Sequence, residues 1–205
     1  MRIGLLKAAV WIACLVPLAL LVWQGFHDEL GGNPVEKVTH TTGDWALRFL
    51  LITLAITPLR KTFDRPELIR FRRLLGLFAF FYAVLHVLTW LWLDKLFDVN
   101  ELLADVRKRP FITAGTVAFL SLVPLAITST AGWIRRLGGR RWQGLHRLIY
   151  LSAAAAVVHY YWLVKSDIRM PVFYGALFVL LMVWRWAAVR RSAGSRTRPV
   201  AAKTV

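Results

Sequence analysis

The stretch FRRLLGLFAFFYAVLHVLTWLWL, residues 71–93, decides the fold. As an α-helix its 23 residues would be about 34 Å long, enough to cross a hydrocarbon core ~30 Å thick. A barrel strand is excluded, because the apolar residues run on without the alternation that such a strand requires. The cations Arg72 and Arg73 stand together at one end, and a single ionisable side chain, His86, lies deep in the apolar run. The segment reads as a membrane helix with one polar residue that needs explaining.

Working outward, five further segments share its character: 5–24, 44–59, 111–131, 142–164 and 170–189. The weakest is 44–59, which is short and carries Arg48 near its start. The first exceeds a signal-peptide core, and no small-residue cleavage site follows it. The expectation is an all-α, polytopic membrane helix bundle of six transmembrane helices. Composition agrees: 58% of the 205 residues are hydrophobic, and the mean hydropathy is +0.53. The formal net charge of +16 on so apolar a chain excludes a disordered polycation and speaks against nucleic-acid binding.

The charge is instead geographic. Arg2 and Lys7, the cluster Arg60, Lys61, Arg65, Arg70, Arg72 and Arg73, the quartet Arg135, Arg136, Arg140 and Arg141, and the basic tail all fall on one side of the six-span scheme. Of the 11 acids, only Asp64 and Glu67 join them. Counting Lys and Arg in short loops places both termini in the cytoplasm. No loop is long enough for a second domain, although 96–106 suits a short amphipathic surface helix. Residues 192–205, rich in Arg, Ser and Ala, read as a disordered basic cytoplasmic tail that binds anionic membrane lipid. The single cysteine, Cys14, permits no internal disulfide and no Cys-x-x-Cys-His haem attachment; it reads as a buried small hydrophobe.

Direction gives depth. His27 and His40 fall in the first outer loop, whereas His86, His146 and His159 lie within spans. His86 is seven residues, ~10 Å, and His159 five residues, ~8 Å, from the outer ends of their helices. Two neutral imidazoles at one depth on two helices can be the axial pair of a b-type haem. The small residues Ala153, Ala154, Ala155 and Ala156 would leave room for a flat group between helices. The alternatives are hydrogen bonds from each histidine to a neighbouring helix, or zinc, or a proton relay. Zinc and a relay are weakened by the lack of further intramembrane ligands and carboxylates.

His146 lies 13 residues before His159, ~20 Å along a helix, so both cannot ligate one iron. It could hold a second, inner haem, bind a quinone or flavin headgroup, or stand at the interface without a cofactor. On an ideal helix the two side chains also point ~140° apart, so a local irregularity would be needed to bring both to the interior. Arg72, Arg73 and Arg147 either anchor the cytoplasmic ends or pair with haem propionates, a flavin phosphate or a quinone oxygen. Arg48, in the outer half, is a candidate partner for outer-haem propionates, and Arg185 is expected to snorkel inward. The sequence has neither a Gly-x-Gly-x-x-Gly nor a Walker loop. Electrons carried by this chain must therefore come from quinol or from a separate protein.

Three stretches together resemble the MsrQ (YedZ) family: RRLLGL at Arg72 with His86 following, GGRRWQGLHRLIY ending at Tyr150, and HYYWLVK from His159 to Lys165. The similarity extends over about residues 5–189. It implies a ferric-reductase-like transmembrane haem-binding domain over 1–191, with haem b, one or two, and FMN. In that wider group two helices usually each carry two histidines 13 or 14 residues apart. Here one helix has the pair His146 and His159, whereas the other has only His86, with Arg73 and Arg72 at the upstream positions. The resemblance further implies a bacterial inner-membrane subunit. It would take electrons from the quinone pool or a cytoplasmic flavin reductase. It would pass them to an MsrP-like periplasmic molybdopterin subunit that reduces methionine sulfoxide in oxidised proteins, so catalysis itself would lie on the partner. The donor is expected near the inner histidine–arginine cluster. Two other readings are a stand-alone transmembrane ferric-chelate reductase and a non-haem transporter or scaffold; the latter lacks broken helices or half-sequence symmetry.

Overall fold

A computed structural model of the protein describes residues 2–196, and all regular structure among them is helical. The helices are α1 (Arg2–Phe26), α2 (Pro34–Thr62), α3 (Ile69–Leu88), α4 (Val99–Lys108), α5 (Pro110–Ile127), α6 (Ala131–Leu137), α7 (Gly139–Leu145), α8 (Leu148–Leu163) and α9 (Arg169–Arg196). Four segments are long and apolar enough to cross a membrane: Ile3–Phe26, Pro66–Asp94, Pro110–Ile127 and Arg169–Ala188. The other two expected spans correspond to α2 and α8, and each departs from the simple pattern for a physical reason.

α2 starts ten residues before the expected 44, because Asn33 caps it. The Asn33 carboxamide oxygen accepts the Glu36 amide at 3.2 Å, its Nδ2 donates to Glu36 Oε2 at 2.9 Å, and Pro34 stands in the first turn. This reciprocal cap, with proline where a free N–H would be wasted, is a strong helix start. His40 is consequently helical, whereas the expected loop retains His27. The added turns bring Glu36 and Lys37 into α2 beside Asp44 and Arg48. Its apolar segment is therefore bracketed by charge, and Leu47, Leu50, Leu51 and Leu54 form much of the buried core.

α8 is short because the expected helix 142–164 is broken at His146 and Arg147. There the tighter bonds Arg147 N–Gly144 O (3.1 Å) and Tyr150 N–Arg147 O (3.0 Å) interrupt the α-helical ladder. Gly138, at φ 72°, makes the turn between α6 and α7 expected of the Gly138-Gly139 pair. Upstream, α3 widens into a π-helical segment, Thr89–Asp94, directly after the turn that carries His86. Such segments are frequent at functional sites. The amphipathic surface helix is present as α4. At the C-terminal end α9 runs through residues 192–196, and the rest of the expected basic tail, 197–205, lies outside the described residues.

α2 packs along α3 and α5 along α8. The two pairs meet through α3–α5 and α2–α8, α9 covers α2 and α8, and α1 lies against α2 and α3. α1 and α9 turn large apolar side chains outward, among them Leu5, Ile12, Leu20, Leu180 and Val183, as a bilayer-facing surface requires. Cys14 is buried and free, as its place in an apolar run implies. Pro17 interrupts the α1 ladder. There the Tyr82 hydroxyl, from α3, accepts the Leu18 amide at 3.1 Å and donates to the Cys14 carbonyl at 2.9 Å. A side-chain hydroxyl of α3 thus bonds the α1 backbone on both sides of Pro17, one turn along α3 from His86.

Candidate functional site

His86 on α3 and His159 on α8 face each other in the bundle interior, with ring centres 6.0 Å apart and planes at 75°. Each ring is held in the same way by the helix beside it. His86 Nδ1 lies 2.9 Å from the Thr39 carbonyl of α2, and His159 Nδ1 lies 2.6 Å from the Phe111 carbonyl of α5. A carbonyl can only accept, so Nδ1 carries the proton and donates in both cases. Nε2 of each ring then keeps its lone pair, the state in which a histidine ligates a metal.

The space for each ring is made by a glycine four residues beyond that carbonyl. A Cβ on Gly43 would stand 2.9 Å from His86 Nδ1 and Cε1, and one on Gly115 would stand 2.8 Å from His159 Nδ1. Glycine inside a helix costs about 1 kcal/mol relative to alanine, and here it admits an imidazole. The same device, carbonyl at i and glycine at i+4, therefore occurs on both flanking helices. Thr39 also has its hydroxyl 3.0 Å from that of Thr89, which donates to the His86 carbonyl at 2.7 Å. The π-helical turn after His86 is tied to the helix that orients the ring.

The two imidazoles are residues that could hold a haem. Two imidazoles on opposite sides of one ion, at about 2 Å per metal–nitrogen bond, have ring centres roughly 6 Å apart, which matches the observed separation. A bare metal ion fits poorly, because among the described residues no three His, Cys, Asp or Glu side chains gather as a set of ligands. A porphyrin supplies the remaining four donors itself.

His146 is placed differently. Its Nε2 lies 3.0 Å from Thr128 Oγ1. That hydroxyl gives its one proton to the Pro124 carbonyl at 2.6 Å, so Nε2 must be the donor to it. Trp142 stacks on the His146 ring at 3.9 Å and donates its indole N–H to the Thr128 carbonyl at 2.8 Å. Among the described residues no second histidine ring is in contact with it, and the Arg72 charge lies near it. The break at His146 and Arg147 supplies the local irregularity that the spacing to His159 called for.

Of the arginines, Arg48 donates through Nε to the Tyr174 hydroxyl at 2.8 Å, pairs with Asp44 at 3.6 Å and lies 4.8 Å over the Trp45 ring. Arg73 and Arg147 are exposed on the bundle surface. Arg185 does not snorkel: it points into the bundle and donates to the Leu54 carbonyl at 2.7 Å and the Tyr150 hydroxyl at 3.0 Å. The alanine run is used partly for helix approach. Ala153 is fully buried, beside Ser152, whose hydroxyl donates to the Ala118 carbonyl of α5 at 2.9 Å. Thr39, Gly43, Phe111 and Gly115 did not emerge from the sequence as site residues. The one available signal was Gly115, a glycine inside an apolar helical pattern with no turn nearby; Gly43 stands in the polar stretch just before the expected span 44–59 and carried no such mark.

Residues 42–157 match the family described as Ferric reductase like transmembrane component. That range begins one residue before Gly43 and contains both His86 and His146, but not His159. The chain is similar to curated relatives along nearly all of its length. It is 51% identical over 195 residues to the Protein-methionine-sulfoxide reductase heme-binding subunit MsrQ of Caulobacter vibrioides, covering 95% of this chain and 92% of that protein. It is 52% identical over 195 residues to the same-named protein of Herminiimonas arsenicoxydans, covering 93% and 89%. With that of Xanthomonas campestris pv. campestris (strain 8004) it shares 51% identity over 202 residues, covering 94% and 92%.

Proposed function

The chain belongs to the MsrQ family of ferric-reductase-like membrane proteins, and from that premise we propose that it carries electrons across the bacterial inner membrane on haem b held by His86 and His159. The single observation that carries this reading is the facing pair of imidazoles, each with Nδ1 pinned by a carbonyl and Nε2 free. The haem, when bound, supplies a one-electron iron couple in a low-dielectric interior. The chain's own residues do the rest. Thr39 and Phe111 fix the tautomer and raise the basicity of the two ligands. Gly43 and Gly115 let the rings lie flush on their helices, and the apolar shell excludes water.

Six crossings with both termini in the cytoplasm suit this function, α2 and α8 being the two whose composition or length is atypical. α2 crosses with its charges at the ends, and α8 is completed by α7 beyond the break. In this scheme the paired histidines lie toward the periplasm and the Arg72–His146 cluster toward the cytoplasm. Arg48 sits on the cytoplasmic flank of the histidine pair, where it can meet haem propionates. Arg72, Arg73, His146 and Arg147 form the inner flank, suited to an anionic group such as the FMN phosphate or propionates of a second haem. The donor is the quinone pool or a reduced flavin. The acceptor is a periplasmic molybdopterin subunit that reduces methionine sulfoxide in oxidised proteins.

Proteoliposomes holding the chain, a quinol and the purified molybdopterin partner test the reading. Methionine sulfoxide reduction that needs all three is the expected result. Reduction of ferric chelates at an equal rate without the partner would instead make the chain a stand-alone ferric reductase.

A further inference from the structure

α2 is amphipathic in an unusual sense: both of its faces carry polar groups, and only one serves the histidines. Thr39 and Gly43 face His86. Lys37, Thr41 and Trp45, each offset by two residues and so ~200° around the helix, face α1. There α1 and α2 enclose a groove of about 320 Å³, lined by these three residues together with Pro17, Leu20 and Gln24 of α1 among others. The volume is within the range of small-molecule sites. Proline lines the groove where the α1 ladder is incomplete. Pro17 has no N–H to give the Ala13 carbonyl, and Tyr82 occupies the next rung of the ladder.

The lining has a specific chemistry. One end offers an ammonium, a carboxamide and a hydroxyl, from Lys37, Gln24 and Thr41, and among the described residues none of the three side chains is hydrogen-bonded or ion-paired within the chain. Trp45 supplies a flat aromatic wall, and the rest is aliphatic. α1 turns Val16 and Leu20 to the exterior alongside it, so the groove opens to the lipid phase. We propose that it binds the ring of a lipid-phase quinone or hydroquinone. Lys37, Gln24 and Thr41 meet the ring oxygens, Trp45 lies against the ring, and the aliphatic slot receives the start of the isoprenoid tail. One cation with two neutral groups, each able to donate and accept, suits a neutral ring with two oxygens. A phosphodiester headgroup calls for a denser cationic set.

Position favours a redox lipid over a structural one. A single helix, α2, separates the groove from His86, whose ring is bonded to Thr39, two residues from Thr41. Tyr82, one turn from His86, reaches the α1 backbone beside Pro17. This inference rests on the quinone-donor reading above and moves its docking place from the inner arginine cluster to the outer half of the α1–α2 interface.

The test is photolabelling of the full chain in nanodiscs with an azido-ubiquinone, followed by peptide mapping, with the haem spectrum recorded on the same samples. The expected result is label on peptides containing residues 13–24 and 37–45, displaced by unmodified ubiquinone. A Lys37→Ala, Gln24→Ala double variant should label about tenfold less while keeping its haem spectrum. Label confined to other peptides would overturn the site. So would equal labelling of the variant, or displacement by phosphatidylglycerol but not by ubiquinone. Because the haem spectrum is read independently, loss of the haem reading cannot be confused with loss of this one.

Discussion

His86 and His159, on two different helices, lie with ring centres 6.0 Å apart, and each gives its Nδ1 proton to a backbone carbonyl of a third and a fourth helix. The histidine pair is therefore a property of four helices, α2, α3, α5 and α8. Two supply the imidazoles and two set their tautomer. A change in any of the four should register in the cofactor.

The flanking glycines give the sharpest test of that statement. Gly43→Ala and Gly115→Ala each place a methyl group under 3 Å from a ring nitrogen, so the imidazole must tilt off its carbonyl. Disturbing the partners that orient a metal ligand typically costs 10–100-fold in affinity. We expect haem affinity to fall by about tenfold or more in either variant, measured by haem titration of the apoprotein. Gly4→Ala, where an added Cβ meets no neighbouring atom within 4 Å, is the control and should bind normally.

His146 should behave unlike the other two. Its Nε2 proton is committed to Thr128, and no histidine stands opposite. His146→Ala should keep the low-spin bis-histidine signal of the outer pair in electron paramagnetic resonance. It should lose about 1 kcal/mol of stability from the broken hydrogen bond, seen as a lower unfolding temperature in detergent.

Tyr82→Phe removes the hydroxyl that bridges Leu18 N–H and the Cys14 carbonyl beside Pro17. Both hydrogen bonds of this buried hydroxyl between α3 and α1 are then lost, at a cost of about 1–3 kcal/mol. Thermal unfolding of the variant should register that loss, and the Soret band should be retained, since Tyr82 touches neither ring nitrogen.

The surface helix α4 is held by charge. Lys95 lies 3.2 Å from Asp105, 3.6 Å from Glu101 and 3.7 Å from Asp94, and Arg109 lies 3.2 Å from Asp105. The hydrogen bond to Asp105, then the nearby acids, hold the Lys95 ammonium above the usual lysine range. A cation whose folded value is raised stabilises fully below its unfolded value, and that contribution is lost as pH rises through the folded one. A spin label at Leu103→Cys should therefore stay immobile up to about pH 10 and loosen above it. In Lys95→Met it should be mobile throughout.

Much of this architecture was legible because the membrane simplifies it. Long apolar runs, the arginine asymmetry and the matched depth expected of His86 and His159 are linear features, and they singled out the two histidines whose rings the fold brings together. The break at His146 was not legible, since 142–164 has the composition of a continuous helix; it appears where Gly144 and the Thr128 contacts bend the chain. Nor was the inward turn of Arg185, because snorkelling and burial against a carbonyl look identical in sequence. Thr39 and Phe111 act through backbone atoms, which every residue possesses, so only a glycine four residues later could have marked either, as Gly115 does for Phe111. The extended α2 is marked by Asn33-Pro34-Val35-Glu36, a capping signal that hydropathy alone does not register.

The central claim is that His86 and His159 together hold one haem. Haem content per chain and the reduced-minus-oxidised spectrum of purified wild type, His86→Ala, His159→Ala and His146→Ala measure it directly. A b-type spectrum is expected for wild type, with loss of the bis-histidine haem in each of the first two variants and its retention in the third. Wild type without a Soret band, or full haem in His86→Ala and His159→Ala, would contradict it.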